Sequence, residues 1–192
     1  MKRHVYLSYI HSDAMNFKHK ILDRFKGRKY KISEEGYDVK NTTIEPNEET
    51  LTQLAKNVSH QDVTVVLISR NILESKWIAF EVEASLDTTK IFSRKNTPKG
   101  VIGVVIPDKG NDYSYMMKKN SKGVWLADKS KLPTIISANM HNEKVLQNKN
   151  NVNYDSFISV YRWEDFVRDY DNCINIAYEK ANSHHEDYNI TL

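Results

Sequence analysis

Trp77 and Glu81 stand four residues apart, shortly after the apolar run VTVVLI at residues 63–68. On a helix that spacing puts both side chains on one face. A large aromatic ring beside a carboxylate at the end of a strand can hold a cationic, stackable ligand. Taken alone, the same pair reads more often as a packed ring and a solvated charge than as a site. Glu83 is a rival carboxylate. Ala79, Val82 and Leu86 form the most apolar stripe of the helix, Glu83 borders that stripe, and Glu81 falls on roughly the opposite side. The helical wheel therefore does not choose between the two. Two other reactive groups read as structural. Cys173 in YDNCINIAY sits in a helical pattern that suits packing, and the adjacent His184 and His185 point in different directions on a helix and make no metal site. There is no Walker loop, GxGxxG or internal repeat.

The elements that must position these residues follow in order. Residues 4–9 (HVYLSY) predict a strand, followed by a polar turn and a helix over residues 14–26 capped by Ser12 or Asp13. Residues 27–31 read as a turn, and a second strand is expected within residues 36–43. Asn47 caps a helix from Glu48 to about Ser59. The run at 63–68 is β-branched and nearly continuous, the pattern of a strand buried on both faces, and a helix is expected over residues 74–90. Residues 99–107 predict a fourth strand, residues 157–161 a fifth, and residues 163–182 a final helix ahead of a frayed polar tail. Strand and helix alternate throughout, so the expected fold is α/β: a flavodoxin-like, three-layer arrangement around a five-stranded, mostly parallel sheet of order 2-1-3-4-5. Residues 1–192 are expected to form a single domain, with an insertion at about 108–153 that decorates the sheet's edge or mouth. Ligands bind beyond the carboxyl ends of such strands, so Ser8, Tyr9 and Asp13 at the end of the first strand can meet the same ligand as Glu81. Tyr37, Asp38 and Asn41, at the end of the second strand, are further candidates.

Composition narrows the class of function. Hydrophobic residues make up 40% and charged residues 28% of the chain, ordinary values for a globular protein. No run of about 18 apolar residues is present, and the start MKRHVYLSYIHSD lacks a signal-peptide core. With one cysteine and no internal disulfide, a reducing, cytoplasmic setting is expected. The net charge of +3 is dispersed, so neither a nucleic-acid nor a membrane partner is expected.

VVLIS, then Ser-Lys-Trp, then three residues and Glu81 resemble the third strand and following helix of a TIR domain. Ser8, Tyr9 and Asp13 resemble its first motif, although Ile10 and His11 stand where many NAD-cleaving members carry arginine. The chain as a whole resembles most the bacterial TIR-like family that includes the signal-generating component of Thoeris anti-phage defence. That resemblance implies Glu81 as catalytic carboxylate, with Trp77 lining its site and NAD as substrate rather than cofactor. It further implies self-association, helped by the loop of residues 41–49, and a product that activates a separate effector protein without direct contact. Two other classes stay open: a non-catalytic TIR-like module acting by homotypic assembly, and an enzyme like the nucleoside deoxyribosyltransferases, which share the α/β plan and a catalytic glutamate.

Overall fold

The computed structural model describes residues 2–27, 29–33, 47–87, 97–144 and 155–192. Its elements are β1 (Arg3–Tyr9), α1 (His11–Phe25), β2 (Tyr30–Ser33), α2 (Glu48–Ser59), β3 (Val63–Ile68), α3 (Lys76–Leu86), β4 (Gly100–Val105), β5 (Met117–Lys119), β6 (Trp125–Ala127), α4 (Thr134–Ala138), β7 (Ser159–Arg162), α5 (Trp163–Arg168) and α6 (Tyr170–Ser183). The main sheet has the order β2-β1-β3-β4-β7, and every neighbouring pair is parallel. Since β7 is its fifth strand, this is the expected 2-1-3-4-5 arrangement of a flavodoxin-like α/β fold.

Helices cover both faces of the sheet, which is why β3 and β4 are buried along their whole length and carry apolar side chains in unbroken runs. β1 shows how the two faces are divided. Val5 and Leu7 point into a large cluster with Ile21 and Phe25 of α1 and Phe166 and Ile174 of α5 and α6. Tyr6 points the other way, into a second cluster with Leu54 and Val58 of α2, flanked by Trp77, Phe80 and Ala84 of α3. Gly100 lets α6 press onto the sheet, for a Cβ there would stand 2.5 Å from the carbonyl oxygen of Ala177.

Several expectations need correction. The second strand lies at Tyr30–Ser33, inside and just after the expected turn, and residues 36–43 lie outside the described residues. Tyr30 and Ile32 supply the alternation: Tyr30 is buried against Phe25 and Tyr170, and lysines on either side disguise it. α1 starts at His11 with Ile10 as N-cap and no side-chain cap, because the carboxylate of Asp13 is engaged elsewhere. A 3₁₀ turn, Ile72–Glu74, precedes α3, whose first turn is capped by Ser75. The expected C-terminal helix is interrupted at Asp169, whose φ of −135° leaves the helical region. The tail is not frayed. Tyr188 is buried against Phe157, and Thr191 exchanges backbone hydrogen bonds with the fully buried side chain of Asn139. The stretch from Asp108 to Lys144 needs no such correction: some short elements are expected there, and it holds a β5–β6 hairpin and α4. Among the described residues no helix is long and apolar enough to cross a membrane.

Candidate functional site

Glu81 occupies the sheet-facing side of α3. The buried residues of that helix are Ile78, Glu81, Val82, Ser85 and Leu86, so the face that packs includes two polar side chains. Glu81 is only 7% exposed, and its carboxylate is held at both oxygens. The Tyr6 hydroxyl donates to Oε1 at 2.7 Å, and the Ser8 hydroxyl donates to Oε2. Tyr6 and Ser8 are two apart on β1 and thus point to the same side of the sheet. Burial favours the neutral acid and pushes the Glu81 carboxyl up to about 7, while the hydrogen bonds from Ser8 and Tyr6 pull it back toward ionisation. The backbone is fixed as well: Ser85 Oγ donates to the Glu81 carbonyl at 2.7 Å and lies 2.8 Å from Thr64 Oγ1 on β3. The result is a carboxylate that is buried, oriented and able to change charge near neutral pH.

The other candidates are placed differently. Trp77 is partly buried and packs on the cluster of Tyr6, Leu54 and Val58, on the side of α3 that turns toward α2. Asp13 lies at the carboxyl end of the sheet, where it accepts hydrogen bonds from Ser69 Oγ at 2.8 Å and Asn71 Nδ2 at 3.2 Å. It thereby ties the start of α1 to the segment that follows β3. Tyr9 packs with Val5 and Leu7 on the opposite face of β1 from Ser8, its ring 6.5 Å from that of His11. Asp38 and Asn41 lie outside the described residues, as does Tyr37. Glu83 is exposed and lines two open clefts on the outer side of α3, of about 500 and 480 Å³. Geometry thus separates the two carboxylates that the helical wheel could not. The profile of the TIR domain family matches residues 5–131, more than half of the chain. The chain belongs to the TIR domain family.

In this TIR domain the residue that sequence reasoning missed is Tyr6. Its signal was present, since the alternation in HVYLSY puts Tyr6 and Ser8 on one side and Val5, Leu7 and Tyr9 on the other. TIR domains include NAD-cleaving enzymes and commonly self-associate. The part of the chain that follows β4 closes the mouth over β3 and β4: the Tyr115 hydroxyl is within hydrogen-bond distance of the carbonyls of Ile68 (3.0 Å) and Ile106 (2.5 Å). Arg70 and Asp108 pair beside it at 2.6 Å. Among the described residues no group of three His, Cys, Asp or Glu side chains can hold a metal ion.

Proposed function

We propose that this TIR domain cleaves the N-glycosidic bond of NAD. The nicotinamide leaves with the bonding electron pair as a neutral molecule, so the step needs no general acid. Positive charge develops on the ribose carbon, and one ionised carboxylate beside the ribose stabilises it. Glu81 is that carboxylate, Trp77 shapes the site, and Ser8, Tyr9, Asp13, Asp38 and Asn41 contribute substrate contacts. No cofactor takes part. Water attacking the ribose carbon gives ADP-ribose and a proton. Attack by a nitrogen or hydroxyl of the same molecule gives a cyclic isomer, and attack by another nucleophile gives a conjugate. We favour a cyclic or conjugated signal nucleotide, made in the cytoplasm during anti-phage defence of the Thoeris kind and read by a separate effector protein.

The observation that carries this reading is the buried carboxylate of Glu81, with a hydroxyl on each oxygen and a titration near neutrality. A second reading is a non-catalytic module that acts by homotypic assembly. It is favoured by the low exposure of Glu81, which two hydroxyls already satisfy. Incubation with NAD, and separately with nucleosides, followed by mass spectrometry, discriminates. The enzyme reading expects release of nicotinamide together with an ADP-ribose-derived product, and a loss of roughly 10²–10³-fold or more in Glu81→Gln. A chain that leaves NAD intact at every concentration, with or without phage components, fits the assembly reading.

A further inference from the structure

Tyr6 has no exposed surface, and its ring fills a cluster that a phenyl ring would fill equally well. Its hydroxyl is therefore a polar group added to an apolar site, and burial of such a group is costly unless it is bonded. The bond it makes is to Glu81 Oε1 at 2.7 Å. Ser8, the donor to the other oxygen, stands two residues further along β1, about 6.6 Å nearer the carboxyl end where ligands enter. The two donors are thus unequal. Both are fully buried, but one is a rigid phenol deeper in the layer, and the other is a short, rotatable hydroxyl one strand repeat closer to the sheet's carboxyl end.

From this geometry we infer that Tyr6 is the positioning residue of the site: its hydroxyl anchors the deep oxygen of Glu81 and leaves the Ser8-side oxygen to meet the ribose. This rests on the reading of Glu81 as the carboxylate that faces the substrate. With the Glu81 carbonyl tied through Ser85 to Thr64, the residue is fixed at its backbone and at one carboxylate oxygen. Only the outer edge can then exchange partners, from the Ser8 hydroxyl to a hydroxyl of the ligand. Three influences set the charge of Glu81: its burial and the hydroxyls of Ser8 and Tyr6. The residues that α2 and β3 add on this side, Leu54, Val58 and Thr64, carry no titratable group. Removing the Tyr6 hydroxyl hence disfavours the ionised form and loosens its aim together.

Tyr6→Phe in the whole chain tests this, with the ¹³C resonance of the Glu81 carboxyl followed through a pH titration beside kcat and KM. The expected result is a midpoint about one pH unit higher, and a neutral-pH kcat about ten-fold lower at little-changed KM, partly recovered at alkaline pH. A purely structural tyrosine would lower thermal stability without moving the midpoint or giving alkaline recovery. If Tyr6→Phe does not fold, 3-fluorotyrosine at position 6 keeps the ring and makes a stronger donor; the midpoint should then fall. A Glu81 midpoint that ignores both changes overturns the inference. An inactive wild-type chain whose midpoint still responds supports the anchor and overturns only the NAD reading.

Discussion

Glu81 stands where its neutral form is favoured, yet the proposed chemistry uses its charged form. With its carboxyl raised from 4.5 to about 7, the folded chain holds this proton more tightly than the unfolded chain does. The stabilisation is complete below about pH 4.5 and is lost as pH rises through about 7, a change of about 3 kcal/mol. Glu81→Gln removes that loss. Its stability relative to the wild type should improve from pH 5 to pH 8.5, by several degrees in Tm. The Tm difference between the two proteins, measured at both pH values, decides; an equal difference at each would show that Glu81 titrates as an ordinary surface acid. The same residue shows what a sequence can hide. The apolar stripe Ala79, Val82 and Leu86 turned the wheel away from Glu81, because a pattern built on apolar residues cannot register a buried glutamate and serine as part of the packed face. The spacing to Trp77 singled out Glu81 through the family resemblance, whereas Tyr6 was legible only in the alternation that puts it on the side of Ser8.

At the scale of elements, the long apolar runs were legible and the short or interrupted elements were not. β3 and β4 announce themselves because both faces are buried. The Asn47 cap of α2 was also readable, and its side chain accepts from the Thr50 amide at 2.8 Å. β2 escaped because four residues with two outward positions carry little signal. The break at Asp169 and the docked tail escaped because they depend on contacts between distant parts of the chain, such as Asn139 with Thr191. The seating of α3 on α2 offers a test at this scale. Trp77 covers Leu54 and Val58 from the side and touches the cluster that holds the Tyr6 ring. Trp77→Ala should cost about 2–3 kcal/mol, below the loss for a fully buried aromatic, and should reduce turnover as Glu81 loses its support. Chemical denaturation and NAD turnover read the two effects; unchanged values for both would make Trp77 a surface residue with no part in the site.

For the whole molecule, the open question is whether one chain completes the site. Glu81 is 7% exposed, and the mouth over β3 and β4 is closed by Tyr115 and by the Arg70–Asp108 pair. Residues 41–46 lie outside the described residues, and Asn47, Glu48 and Glu49, which open α2, are exposed. Exposed polar residues of this kind suit contacts between protomers better than a core. TIR domains commonly self-associate, and an NAD molecule is large enough to need walls from more than one side of such a crevice. Specific NAD turnover should accordingly rise with protein concentration, or on addition of a phage-derived trigger, in step with the mass measured by light scattering. Substituting Glu48 and Glu49 with lysine reverses the charge at α2's first turn without touching Glu81, and should shift that rise to higher concentration. Both exchanges put positive charge at a helix N-terminus, so a modest loss in Tm, on the order of 1 kcal/mol, is expected as well. A turnover per chain that stays flat across the dilution series, with a monomeric mass at every point, would show that a single protomer suffices.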